Sequence, residues 1–153
     1  MSINSARTSG VLHLDTYWPY QIIVLADRLS RRTAAIVKQH GLNLSQWRGL
    51  AAIGEAPGRT SVEVGSITPM DKGIVSRATK GLLEHGLIYR TASQSDGRIS
   101  HLHLTEAGVK LYGALFPQVE AILKQANAHL SAEEQAHLSE NLRTLLKVLP
   151  DLR

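Results

Sequence analysis

A chain of 153 residues has room for one modest core, and a net charge of +4 with a pI near 9.6 permits a nucleic-acid partner without demanding one. The absence of cysteine excludes disulfides, thiolate nucleophiles and Cys-bound metals. No stretch approaches the roughly 18 apolar residues of a membrane span, and the opening residues carry no apolar run of a signal peptide, so a cytoplasmic protein without a membrane partner is expected.

Residues 1–12 are small and polar and read as a loose arm. From about Asp15 to His40, Tyr17, Trp18, Tyr20, Ile22, Ile23, Leu25, Leu29 and Val37 recur with a helical period but cover more than a narrow stripe. A helix apolar on more than one side needs more than one partner, and in a chain this short the second is read as another subunit. Gly41 ends it. A second helix is expected from Ser45, with Trp47, Leu50, Ala51 and Ile53 apolar and a break across Gly54 to Gly58. A brief helix from Ser61 through Gly65 leads into Ser66-Ile67-Thr68-Pro69. That linker suits a turn, because proline tolerates only the first turn of a helix or the loop before it.

The most informative stretch runs from Thr68 to Gly108. Asp71 as N-cap and Gly86 as left-handed C-terminal cap bracket a helix. Ile74, Val75, Ala78 and Leu82 share one face, and Lys72, Gly73, Ser76, Arg77 and Lys80 share the other. Taken alone, such a basic face is ordinarily just solvated. Behind it, however, Leu87 to Thr91 and Ile99 to Leu104 alternate as strands around a polar tip, Ala92 to Arg98, that contains the Asp-Gly turn signal. A β-hairpin packed behind a basic helix is the outline of a winged helix. The helix can approach a major groove, with Arg and Lys available to phosphates or guanine edges and Ser76 to either. Arg98 at the tip can reach a minor groove. Asp96 repels phosphate, so its useful role is local: pairing with Arg98 or bonding turn amides. Between residues 72 and 98, five cations (Lys72, Arg77, Lys80, Arg90 and Arg98) stand against Glu84 and Asp96.

Thr105, with Glu106 biasing the first turn, opens a long helix to about His129, apolar at Val109, Tyr112, Leu115, Phe116, Val119 and Ile122. Pro117 inside that pattern should bend or divide it. Ser131 and Glu134 form a capping box at the head of a last helix carrying Leu138, Leu142, Leu145, Leu146 and Leu149, which Pro150 closes. The expected fold class is therefore mostly α with a small β wing: a winged helix-turn-helix plus N- and C-terminal dimerisation helices. One compact domain is divided into an arm and dimerisation helix (1–40), a DNA-binding region (41–104) and C-terminal dimerisation helices (105–153). A two-fold homodimer sets its recognition helices on half-sites about one helical turn apart, so the operator should be an inverted repeat.

The segment D-G-R-I-S-H-L-H-L-T-E-A-G, Asp96 to Gly108, resembles the wing signature of the MarR family of bacterial transcription regulators: D-x-R, an alternating strand, then L-T-x-x-G opening a long helix. Met70-Asp71-Lys72 with Val75-Ser76-Arg77 is similar to the start of that family's recognition helix, and L-N-L-S-Q-W-R-G-L at Leu42 to Leu50 resembles its second helix. Gly97 stands where the family often has a second basic residue, and Gly73 where it commonly has Ser. The resemblance implies a repressor whose partner is double-stranded DNA, contacted through Lys72, Gly73, Ser76, Arg77, Lys80, Arg90, Asp96 and Arg98. It also implies a small aromatic or acidic effector in a cleft between the dimer helices and the winged helix. Trp18, Tyr20, Trp47 and Arg48 would supply aromatic walls and a cation for its carboxylate.

Some family members respond to metals, and His101 with His103, or Glu133 with His137, have spacings that can hold one. The histidines equally have solvated uses, and no metal or cofactor is expected. No G-x-S-x-G elbow, P-loop, G-x-G-x-x-G turn or H-E-x-x-H pair is present, so the chain is not expected to be an enzyme. An alternative of another class is an interaction module whose basic face meets an acidic protein.

Overall fold

In the computed structural model, which describes residues 10–153, the elements are α1 (Trp18–Lys38), α2 (Leu44–Glu55), α3 (Ser61–Ile67), α4 (Lys72–Glu84), β1 (Ile88–Ala92), β2 (Ser100–Leu104), α5 (Glu106–Asn127) and α6 (Ala132–Val148). The arm expected over residues 1–12 lies, but for its last three positions, outside the described residues.

Chemistry at the helix ends explains most of these bounds. Asn43 and Gln46, Thr60 and Glu63, and Ser131 and Glu134 each form a reciprocal capping box, while Asp71 and Thr105 cap with the side chain alone. α4 ends at Gly86, whose φ of +66° puts it in the left-handed region. Its N–H donates to Leu83 O at 3.0 Å and that of Leu87 to Leu82 O at 3.0 Å, the paired bonds of a Schellman cap.

Four local expectations need correction. α1 begins at Trp18 and not near Asp15, with Pro19 in its first turn, where a missing N–H costs nothing. Gly54 does not break α2: it lies in the last turn, and a Cβ there would sit 3.4 Å from Leu104 Cδ1, so it serves close packing of the hairpin. The helix ends at Glu55, with Ala56 as its C-cap, and Gly58 follows in the loop with a φ of +91°. α3 runs two residues past Gly65 to Ile67, which shortens the turn to Thr68–Asp71. α5 passes through Pro117 undivided.

β1 and β2 pair antiparallel, with Ile88 opposite Leu104 and Arg90 opposite Leu102. The outer edge of β2 is covered as well: Gly58 N donates to Leu102 O at 2.8 Å, and Leu102 N to Arg59 O at 2.9 Å. Arg59 in turn donates to Ala52 O at 2.6 Å, fastening this edge to the end of α2.

The buried apolar core belongs to the middle of the chain. Leu42, Trp47, Leu50, Ile53, Val64, Met70, Val75, Leu82, Leu87, Ile88 and Leu102 form it, while α1 contributes Val37 and α5 contributes Leu115. α6 buries no residue at all. Trp18, Ile23, Leu25, Phe116, Leu138, Leu146 and Leu149 are exposed, so the apolar surface of the terminal helices lacks a cover within the protomer.

Candidate nucleic-acid interface

α4 turns Val75, Ala78, Thr79 and Leu82 inward, with Ile74 half-buried beside them. The helical period then forces Lys72, Gly73, Ser76, Arg77 and Lys80 outward, and all five are exposed. Thr79 had not been expected in the core. Asp71 Oδ1 accepts from Ile74 N at 2.7 Å and so fixes where the helix starts. A Cβ on Gly73 would lie 3.4 Å from both Arg77 Nη1 and Asp71 Oδ1, so the bare backbone there sits directly under the Arg77 guanidinium. Lys80 stands 3.9 Å from Glu84, an exposed pair of the kind that contributes little.

Lys72 and Ser76 share a cleft of about 600 Å³ with Arg90 from β1, over a floor that includes Met70 and Val75. Ser61 and Ser66 of α3 line the same cleft. The sequence offered no signal for these two beyond the presence of a helix-turn-helix.

Arg98 and Asp96 are exposed at the hairpin tip, where Asp96 acts on the turn amides. Arg98 N donates to Asp96 Oδ1 at 3.0 Å, Ile99 N to Asp96 O at 3.0 Å, and Ser93 N to Ile99 O at 2.9 Å. Among the described residues Asp96 makes no ion pair with Arg98, which leaves the guanidinium out of that turn. Gly97 does not take a positive φ, so the turn is held by side-chain hydrogen bonds and not by the left-handed pair that Asp-Gly often signals.

The strand histidines are engaged nearby. His101 Nδ1 lies 2.8 Å from Gly58 O, and His103 stacks on Tyr89 with ring centroids 5.2 Å apart and reaches Thr91 Oγ1 at 3.1 Å. Among the described residues no three His, Asp or Glu side chains gather as a metal site would need.

The four residues expected around an effector are not brought together within one protomer. Trp47 is buried and stacks on Tyr112 at 5.7 Å, and Tyr112 on Phe116 at 5.8 Å. Arg48 donates to Ser30 Oγ at 3.2 Å, tying α2 to α1. Trp47, Arg48 and Tyr112 border an open cleft of about 400 Å³ that Ile67 at the end of α3 and Pro69 of the turn before α4 also line. Tyr20 lines a separate groove with Val24 and Arg28, and Trp18 stands exposed at the start of α1.

A model of the MarR family matches residues 40–99, the span from the end of α1 through the wing tip. Over that span the chain carries the winged helix of the MarR family. Among curated MarR-type relatives, the homoprotocatechuate degradative operon repressor of Escherichia coli is 28% identical over 115 residues, covering 72% of this chain and 75% of that protein. The MarR-family regulator of Silicibacter pomeroyi superposes with a TM-score of 0.83 at 24% identity, over 90% of this chain and 93% of that one. A MarR-family regulator of Listeria monocytogenes, solved with a 26mer DNA, gives 0.79 at 25% identity, over 83% and 85%. A MarR-family chain is a DNA-binding transcription regulator and not an enzyme. No helix among the described residues is long and apolar enough to cross a membrane.

Proposed function

We propose that this MarR-family regulator is a cytoplasmic homodimeric repressor that lays α4 in the major groove and Arg98 in the adjacent minor groove of an inverted-repeat operator. The observation that carries the reading is the alignment of Lys72, Ser76, Arg77 and Lys80 on the outer face of a helix whose inner face is core. Lys72 and Arg90 contact phosphate, Ser76 and Arg77 face base edges, and bare Gly73 allows close approach. Asp96 aims the wing. In this scheme residues 41–104 read DNA, while 1–40 and 105–153 join the protomers. Support for the dimer comes from the uncovered apolar surface of α1 and α6. Support for repression comes from the relative in Escherichia coli, itself a repressor.

A small aromatic or acidic effector enters the cleft beside Trp47, with Arg48 as counter-charge, and favours a spacing of the reading heads that does not fit the operator. The test is selection from a random duplex pool, followed by titration of the enriched site at two salt concentrations. An inverted repeat with half-sites about one turn apart and affinity falling steeply with salt is the expected result. Absence of enrichment with weak binding at both salts would reject it in favour of a protein partner for the basic face.

A further inference from the structure

The segment that follows α6 does not hang free. Arg153 Nη2 donates to Thr68 O at 3.1 Å and, more weakly, to Gly65 O at 3.4 Å, two carbonyls at the end of α3. A helix C-terminus leaves carbonyls without intrahelical donors and carries the negative end of the helix dipole, so a guanidinium is a suitable cap. Asp151 holds that guanidinium in place: Arg153 Nε donates to Asp151 Oδ2 at 2.9 Å and Nη2 to the same oxygen at 2.5 Å. The Arg153 backbone N–H also donates to Asp151 Oδ1, at 2.9 Å. The same guanidinium draws the Asp151 carboxyl down to about 2, so it is charged at any physiological pH. Asp151 and Arg153 thereby line the cleft that holds Lys72, Ser76 and Arg90. Leu152 between them is 96% exposed and anchors nothing.

We propose that residues 151–153 form a displaceable plug: the Asp151–Arg153 pair docks on the α3–α4 turn of the free protein, and a DNA backbone must expel it to reach the cleft. This rests on the reading of that cleft as a DNA-facing surface. Asp151 and Arg153 line the same cleft as Lys72 and Arg90, so plug and backbone compete for the same space. An exposed ion pair is weak, which makes the plug easy to displace. A plug docked in about two-thirds of molecules weakens apparent affinity about threefold, because only the undocked fraction binds.

The test uses the full chain. Asp151→Asn combined with Arg153→Gln removes the pair while leaving net charge unchanged. The paired variant should bind the selected duplex about threefold more tightly than the unmodified chain. In parallel, the chain's lack of cysteine lets a nitroxide be placed uniquely through Leu152→Cys. It should broaden the amide signals of residues 65–71 in the free protein, and both the duplex and the paired substitution should relieve that broadening. Unchanged or weaker binding by the paired variant, or no broadening in the free protein, overturns the plug. A chain that binds no duplex at all rejects the DNA-facing reading and the plug with it, even where the broadening persists.

Discussion

Arg98 and Lys72 carry the same charge in different settings, and the proposed function assigns them different effects. Arg98 stands exposed on a turn whose amides Asp96 has already satisfied, so its removal should leave fold and assembly intact. Arg98→Ala is expected to weaken operator binding by at least about 1 kcal/mol, measured by titration against the selected duplex. Wild-type affinity in that variant would end the minor-groove assignment. Lys72 opens α4 beside the cleft and is read as a phosphate contact. Lys72→Ala should reduce the slope of log affinity against log salt by about one and weaken all sequences alike. A loss confined to the operator would show that Lys72 reads a base instead.

Among the elements, the join between hairpin and α5 gives the L-T-x-x-G pattern a physical meaning. Thr105 Oγ1 donates to Gly86 O at 2.6 Å and accepts from Gly108 N at 3.1 Å, so one hydroxyl links the cap of α4 to the start of α5. A Cβ on Gly108 would lie 2.0 Å from Leu87 O, which is backbone and cannot turn aside. Thr105→Ala should lower stability by about 1 kcal/mol as a lost N-cap. Gly108→Ala should cost about 1–3 kcal/mol, since α5 must move off the Leu87 backbone that leads into β1. Thermal or denaturant unfolding of the two variants decides the order.

The capping box of α3 adds a pH dependence. The Glu63 carboxyl is held below its usual value of 4.5, first by the Thr60 backbone N–H and then by the Thr60 side chain. A lowered carboxyl stabilises the fold above its unfolded value, and that contribution fades as pH falls through the lowered one. Glu63→Gln should flatten this acid limb of the stability curve; an unchanged limb would show that other carboxylates set it.

Such elements were legible because the signals are local: caps, a left-handed glycine and an apolar period each act over a few residues. Gly54 was misread for the same reason, since its use depends on Leu104, fifty positions later. Asp-Gly marked the turn and Asp96 was read as a partner for its amides, as it is, but the bonds from Ser93 left no such signal. The cleft residues Ser61 and Ser66, and the Arg153 bonds to the α3–α4 turn, depend on tertiary approach and left no pattern in the sequence.

At the scale of the molecule, the outward apolar residues of α6 separate protomer stability from assembly. Leu146 is 76% exposed, so Leu146→Glu should change the stability of an isolated protomer by less than about 0.5 kcal/mol. Under the proposed dimer it places a carboxylate in the joint, and sedimentation at micromolar concentration should then shift from dimer toward monomer. A variant that sediments as the unmodified chain does would show that α6 is not in the joint.

The confinement of the buried core to residues 37–115 also bears on the order of folding. The winged helix closes its core through contacts within one chain, so it should refold in a first phase whose rate does not depend on protein concentration. Under the proposed dimer, α6, with nothing buried in the protomer, should gain protection from hydrogen exchange only in a second phase that accelerates as concentration rises. Under the proposed dimer, a nascent chain would therefore have its reading head formed before it met its partner.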